Sequence, residues 1–246
     1  MTALTGEIVG VSLTGALGDF TAYEEVAAAI EVADLIGYWR LSETSGATAD
    51  NYEGIAARDG TYTDVTLANV AGNIRATATF DGTTSYVDIY SASLAAAFDG
   101  AEGTMAIWVK VSGAGVWTDG VARVCMRIKA DAGNAITIQR LAANNEFRYT
   151  YRSEIGDLAA ITETGWFHTA VTWSASADEV KYYWDGAQVS TTDTGIGVWA
   201  GALSATEVVI GAKNSGAENP WSGYLAHAAI WTTPLTPAQI LVLATA

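Results

Sequence analysis

At 246 residues, half of them hydrophobic, with 25 Gly and only 3 Pro, the chain has the material for a large core and reads as folded rather than disordered. Its 12 Lys and Arg against 27 Asp and Glu leave a net charge of −15, which repels phosphate backbones and excludes nucleic acid as a partner; the excess serves solubility or, at carboxylate-rich loops, cation binding. The single cysteine, Cys125, rules out an internal disulfide and reads as a buried inert thiol, and no stretch is apolar for long enough to cross a membrane, so no membrane insertion is expected.

The chain opens on a Gly/Thr/Leu-rich lead with weak alternation at Ile8, Val9, Val11, Leu13 and Leu17. Thr21 and Glu24 have the spacing of a capping box, and Tyr23, Val26, Ala27, Ile30 and Ala33 follow at helical intervals, which predicts an amphipathic helix over 22–34 ended by Gly37. From Tyr38 the period changes to two. Met105, Ile107, Val109 and Val111 alternate with Trp108 and Lys110, and further strands are expected over 121–129, 134–140, 146–152, 166–173, 180–185, 206–210 and 223–231. Asp185-Gly186 is a hairpin signal, and Thr236-Pro-Ala-Gln239 is a second capping box that opens a terminal helix. Short strands at regular spacing with turns between them indicate an all-β sandwich.

Several motifs sharpen that reading: Tyr38 to Gly46, Arg58 to Tyr62, Phe80-Asp81-Gly82, Gly165 to Trp173, Val180 to Gly186, Gly223-Tyr-Leu225 and Leu235 to Ile240. In order and spacing they resemble the laminin-G-like and pentraxin-like jelly rolls of the concanavalin A-like lectin/glucanase kind found in bacterial and phage proteins. The resemblance covers about 36–242 and implies a two-sheet antiparallel jelly roll over 36–246, with residues 1–35 as an added arm. It also implies an acid two to three residues beyond Gly223, where this chain has Leu225, Ala226 and His227 instead.

Glycan hydrolysis on this fold needs two carboxylates facing one bond. No Glu-x-Asp-x-x-Glu run supplies them: Asp178 and Glu179 are adjacent and point to opposite faces, and Glu154 and Asp157 read as loop residues. His168 and His227 lack a metal-binding spacing, and His168 reads as a hydrogen-bonded structural residue. No catalytic residue is therefore assigned. For ligand contact, one loop offers Trp117 and Asp119 and another Asn214, Glu218 and Asn219, an aromatic with amide and carboxylate groups; Trp117 fits a sugar platform or a core position, and Trp221 reads as core. Asp50 and Asp81 are the acids the resemblance offers to a structural calcium ion, with turn capping as the competing role for Asp81 beside Gly82. No cofactor is required.

Fold alone implies function weakly. The missing catalytic set, the lack of a signal-peptide pattern at the N-terminus and the 35-residue arm lead to the expectation of a non-catalytic virion structural protein (a phage capsid decoration, tail or fibre component). It would be made in a host cytoplasm and placed on the virion surface. Its partners would be neighbouring copies or other virion proteins, gripped through Ile8, Val9, Val11, Leu13 and Leu17. The alternatives are a glycan-binding, lectin-like adhesion module and a degenerate glycan hydrolase.

Overall fold

The computed structural model describes residues 30, 33–52, 55–67, 78–143 and 145–245, with the backbone of 7–8 and 11–12. The described residues form eighteen strands. The first half holds β1 (Glu7–Ile8), β2 (Val11–Ser12), β3 (Leu35–Trp39), β4 (Thr48–Ala49), β5 (Gly60–Thr63), β6 (Thr66–Leu67), β7 (Ala78–Asp81), β8 (Tyr86–Asp88) and β9 (Glu102–Val111). The second half holds β10 (Arg123–Asp131), β11 (Asn134–Arg140), β12 (Phe147–Tyr151), β13 (Glu154–Leu158), β14 (Phe167–Ser174), β15 (Glu179–Trp184), β16 (Ala187–Gln188), β17 (Val209–Ile210) and β18 (Ser222–Trp231). Sheet I runs β13-β12-β11-β10-β17-β8-β5-β4; sheet II runs β16-β15-β14-β9-β18-β7-β6, with β3 also paired to β18. The pairings are antiparallel, and the crossings from β9 to β10 and from β17 to β18 carry the chain between sheets, as in a jelly roll.

Period-two patterning explains the sandwich. Phe147, Tyr149 and Tyr151 of β12 turn inward and meet Phe167, Tyr182, Trp184 and Trp173 of sheet II, with ring centroids 5.3–5.7 Å apart. Each fully buried aromatic or branched side chain stabilises by about 1.5–3 kcal/mol. Val171, Trp173, Val180 and Ile230 are wholly buried, whereas Trp166 and Trp184 are half-buried against the same core. The outer face of sheet II is buried as well: Trp108 is 4% exposed and His168 0%, ring against ring at 5.4 Å. The terminal helix Pro237–Thr245 packs on β14 and β16, and its capping box forms as expected, Thr236 Oγ1 accepting from Gln239 N while Gln239 Oε1 accepts from Thr236 N. In the Asp185-Gly186 hairpin both residues have positive φ, +46° and +79°, the backbone a type I′ turn requires.

Three expectations change. Gly37 ends no helix: it lies inside β3, where a Cβ would sit 2.4 Å from the Trp39 ring. Glu154 and Asp157 lie on the edge strand β13 and not in a loop. The boundary at 35/36 cuts into the sandwich, because Leu35 opens β3 and Ile30, 1% exposed, sits in the core with its carbonyl accepting from Trp231 Nε1 at 2.9 Å. Of the proposed assembly residues, Ile8 and Val11 are placed only as backbone in the β1–β2 ribbon. Val9, Leu13 and Leu17, the Thr21–Glu24 capping box and most of the 22–34 helix lie outside the described residues.

Candidate functional site

The two loops singled out for ligand contact, about a hundred residues apart in sequence, meet at one end of the sandwich. Arg123, at the start of β10, joins them: its Nη2 donates to Asp119 Oδ2 at 2.6 Å and its Nη1 to the Pro220 carbonyl at 3.0 Å. Arg140, 1% exposed at the end of β11, pairs with Asp119 Oδ1 at 3.2 Å and donates to the carbonyls of Trp117 and Val121. Partial burial pushes the Asp119 carboxyl up, but the hydrogen bonds and charge of Arg123 and Arg140 outweigh it, so the group sits below the usual carboxylate range. Asp119 is thus a counterion for two arginines.

Trp117 is no open stacking platform. It is 1% exposed, its Nε1 donates to the Glu163 carbonyl at 2.7 Å, and its ring lies against Phe147 and Phe167. Asn214, Glu218 and Asn219 form a self-contained hairpin. Asn214 Oδ1 accepts from Gly216 N at 3.0 Å, Asn214 Nδ2 donates to Glu218 Oε2 at 3.0 Å, Lys213 pairs with Glu218, and the Asn219 carbonyl accepts from Val124 N at 2.9 Å. Trp221 is core, with 0% exposure.

The hairpin has a second consequence: it stands beside the outer face of sheet I. Inward aromatics on β12 force Arg148 and Thr150 outward, and the register extends the pattern across strands. One row reads Gln139, Arg148, Asp157 and the next Arg127, Thr137, Thr150, Ile155. Arg148 grips Asp157 with two hydrogen bonds, 2.7 and 2.6 Å, and Arg127 Nη1 donates to Thr137 Oγ1 at 3.3 Å. Glu207 pairs with Lys129 at 2.5 Å and Arg127 at 3.5 Å, and the Glu218 charge also acts on Arg127. Thr137 is 2% exposed beneath the Arg127 side chain. Sequence reasoning missed this face, although the inward parity of Phe147, Tyr149 and Tyr151 carried its signal.

Three acids on or beside this face, Asp157, Glu207 and Glu218, are tied to cations. Lys213 and Asn214 hold Glu218 below its ordinary range. Burial raises Asp88 and Asp193; Asp88 lies on β8 in the outer row of Arg127, joined to it through Val209, while Asp193 bridges to β15 of sheet II beside the buried Tyr182 hydroxyl. A glycosidase pair needs two carboxyls in opposite protonation states across one bond. The ion-paired Asp157, Glu207 and Glu218 do not supply the acid member. Burial likewise pushes the Cys125 thiol well up, as expected of an inert core cysteine.

Asp81 carries out the capping role. Its carboxylate accepts five hydrogen bonds, from both the amides and hydroxyls of Thr83 and Thr84 and from Ser85 N. Burial raises the group, and these bonds together more than reverse it, holding it well below the usual range. Asp50 lies beyond β4 of sheet I, with its amide bonded to Glu43 Oε1 at 2.9 Å, while Asp81 ends β7 of sheet II. Among the described residues no three His, Cys, Asp or Glu are grouped to hold a metal ion, and calcium at Asp81 would have to displace the turn's own donors. Chelator should therefore leave the melting temperature unchanged, whereas Asp81→Ala should cost about 1–2 kcal/mol. A drop of several degrees on adding EDTA would instead locate a filled cation site.

Fold and face together define a jelly-roll sandwich with a polar outer sheet. Residues 81–241 match the concanavalin A-like lectin/glucanases superfamily, and the chain belongs to it. No curated protein matches it at a significant level. Among solved structures it is similar to Trypanosoma rangeli sialidase in complex with the inhibitor DANA, at 12% identity and a TM-score of 0.66, covering 92% of this chain and 37% of that one. It is also similar to domain 4 of AbnA, a GH43 extracellular arabinanase from Geobacillus stearothermophilus, solved in complex with arabinotriose: 18% identity, TM-score 0.59, 86% of this chain and 98% of that one. A third likeness is to the CBM40 of Ruminococcus gnavus IT-sialidase, at 12% identity and a TM-score of 0.52, covering 67% and 95%. The chain spans only about a third of the sialidase. At these identities the likeness is one of fold.

Proposed function

We propose that the chain is a non-catalytic carbohydrate-binding module whose ligand lies along the outer face of sheet I. The observation that carries this reading is the pair of cross-strand rows built on Gln139, Arg148 and Asp157 and on Arg127 and Thr150. Amide, guanidinium, hydroxyl and carboxylate groups together offer the donors and acceptors that sugar hydroxyls need. Neighbouring strands repeat every 4.7–4.9 Å or so, which sets such groups at regular intervals for a chain-like ligand. The likeness to AbnA domain 4, solved with arabinotriose over nearly its whole length, supports a glycan as the ligand class. The absence of a catalytic role is part of the proposal and rests on the ion-paired state of Glu207, Asp157 and Glu218.

Affinity electrophoresis in gels containing soluble polysaccharides tests it. At least one polysaccharide should retard the wild type, and Arg148→Ala with Gln139→Ala should abolish most of that retardation without lowering the melting temperature by more than a few degrees. Undiminished retardation of the double variant would move the site elsewhere. A virion role is compatible with glycan binding, and the end of the arm on which it partly draws, at Ile30 and Leu35, is buried in the sandwich.

A further inference from the structure

The strands that end the two sheets are not alike. β4, β6 and β16 are two residues long, which leaves little edge for another chain to pair with. β13, the outermost strand of sheet I beyond β12, has five residues, Glu154–Leu158, and carries no Lys, Pro or bulge to discourage pairing. Ile155 stands 48% exposed on it.

Register decides which backbone groups this edge presents. β12 and β13 are joined by the two-residue turn Arg152-Ser153, whose closing pair, Tyr151 with Glu154, exchanges hydrogen bonds. Alternation then makes Tyr149–Gly156 and Phe147–Leu158 bonded pairs too, and leaves Ile155 and Asp157 with their N–H and C=O aimed away from β12. No other backbone group among the described residues bonds to them. The Asp157 charge is already met by Arg148, through hydrogen bonds of 2.7 and 2.6 Å.

We propose that β13 pairs antiparallel with β13 of a second copy, about a two-fold axis at Gly156. The axis must fall on a residue for outward side chains to stay on the outer face. Placed at Gly156, it sets Ile155 against Asp157 of the other copy, so that every outward N–H and C=O of both strands finds a partner. Glu154 then faces Leu158, and no like charges stand opposite. An axis at Asp157 would oppose two carboxylates, and one at Ile155 would leave Asp157 facing Ser153 of the turn. The strand is therefore complementary to itself in one register. A five-residue edge is small beside the roughly 1,200–2,000 Å² of stable interfaces, and two copies that each carry −15 repel, so association is weak and tightens as salt rises. The dimer continues sheet I, eight strands in each copy, as one sheet with its two outer faces side by side. The proposal does not rest on the carbohydrate-binding reading.

Sedimentation velocity in about 0.5 M NaCl, which screens the charge on each copy, would compare the wild type, Ile155→Lys and Ile155→Pro from micromolar to millimolar concentration. The lysine puts a charge on the edge, and the proline removes an outward N–H that β12 does not use. The wild type is expected to pass from monomer to dimer as concentration rises, with association at least about tenfold weaker in both variants and melting temperatures within a few degrees. Hydrogen exchange in the wild type adds a residue-level reading: the Ile155 and Asp157 amides should exchange more slowly in the dimer, while those of Glu154, Gly156 and Leu158, bonded to β12 in either state, should not change. If the proline variant fails to fold, the lysine variant and the exchange rates decide. A wild type that stays monomeric throughout overturns the proposal, as does a dimer that forms equally well in the folded variants or leaves the Ile155 and Asp157 amides unprotected.

Discussion

Replacing Asp119 with alanine should destabilise the protein by about 3 kcal/mol, toward the lower end for breaking a buried ion pair, since Asp119 itself is 28% exposed. The loss arises because Arg140 stays charged and 1% exposed with no carboxylate to face, and Arg123 loses its 2.6 Å partner at the same time. For a chain of this size that is a fall in melting temperature of roughly 6–12 °C. The effect depends on pH in a definite direction. The folded-state carboxyl is held below its ordinary value, so its contribution is fully present above the unfolded carboxylate range and disappears as pH falls through the lowered folded value. Chemical denaturation of wild type and variant should thus differ most near neutrality and converge as the pH drops from about 5 toward 2. A constant gap down to the lowest pH would mean that the stabilisation is not ionic.

Gly223→Ala should have a larger effect still, above about 4 kcal/mol, and leave little soluble protein. Gly223 stands at φ +143° where β18 crosses the end of β9, and a Cβ would lie 2.2 Å from the Lys110 carbonyl oxygen and 2.7 Å from Ser112 N. Both are backbone atoms of the neighbouring strand, so no rotamer change relieves the clash; the two central strands of sheet II would have to part. Gly115→Ala, with open space around it, is the matched control and should melt within about a degree of wild type. Equal behaviour of the two variants in thermal melts would contradict the close approach at Gly223.

Strands with strict alternation were readable from the sequence because burial on one face leaves a period-two trace. β11 falls on the predicted residues 134–140, and β9, β14, β15 and β18 fall within a residue or two of expectation. β13 was not readable. Five residues, Glu-Ile-Gly-Asp-Leu, with a glycine in the middle give no hydrophobic trace, and the reason for that glycine is remote: a Cβ on Gly156 would meet the Tyr182 ring at 2.2 Å. Trp117 shows the same limit. A tryptophan in a glycine-rich loop looks available to a ligand, and what buries it is remote in sequence: the Phe147 and Phe167 rings and a hydrogen bond to Glu163, 46 residues further on. The outward positions of Arg148 and Thr150 follow from strand parity, but their alignment with Gln139, Thr137, Asp157 and Arg127 follows only from register, which the sequence does not print.

The central claim is binding without turnover, and one co-sedimentation experiment reads both halves. Protein mixed with a panel of insoluble polysaccharides is spun down, bound protein is quantified in the pellet, and the supernatant is assayed for released reducing ends after prolonged incubation. The account predicts saturable enrichment in the pellet of at least one polysaccharide, with reducing ends at the level of the protein-free blank. Reducing ends that accumulate with time and vanish on substituting a single carboxylate would contradict it, as would a pellet free of protein for every polysaccharide tested.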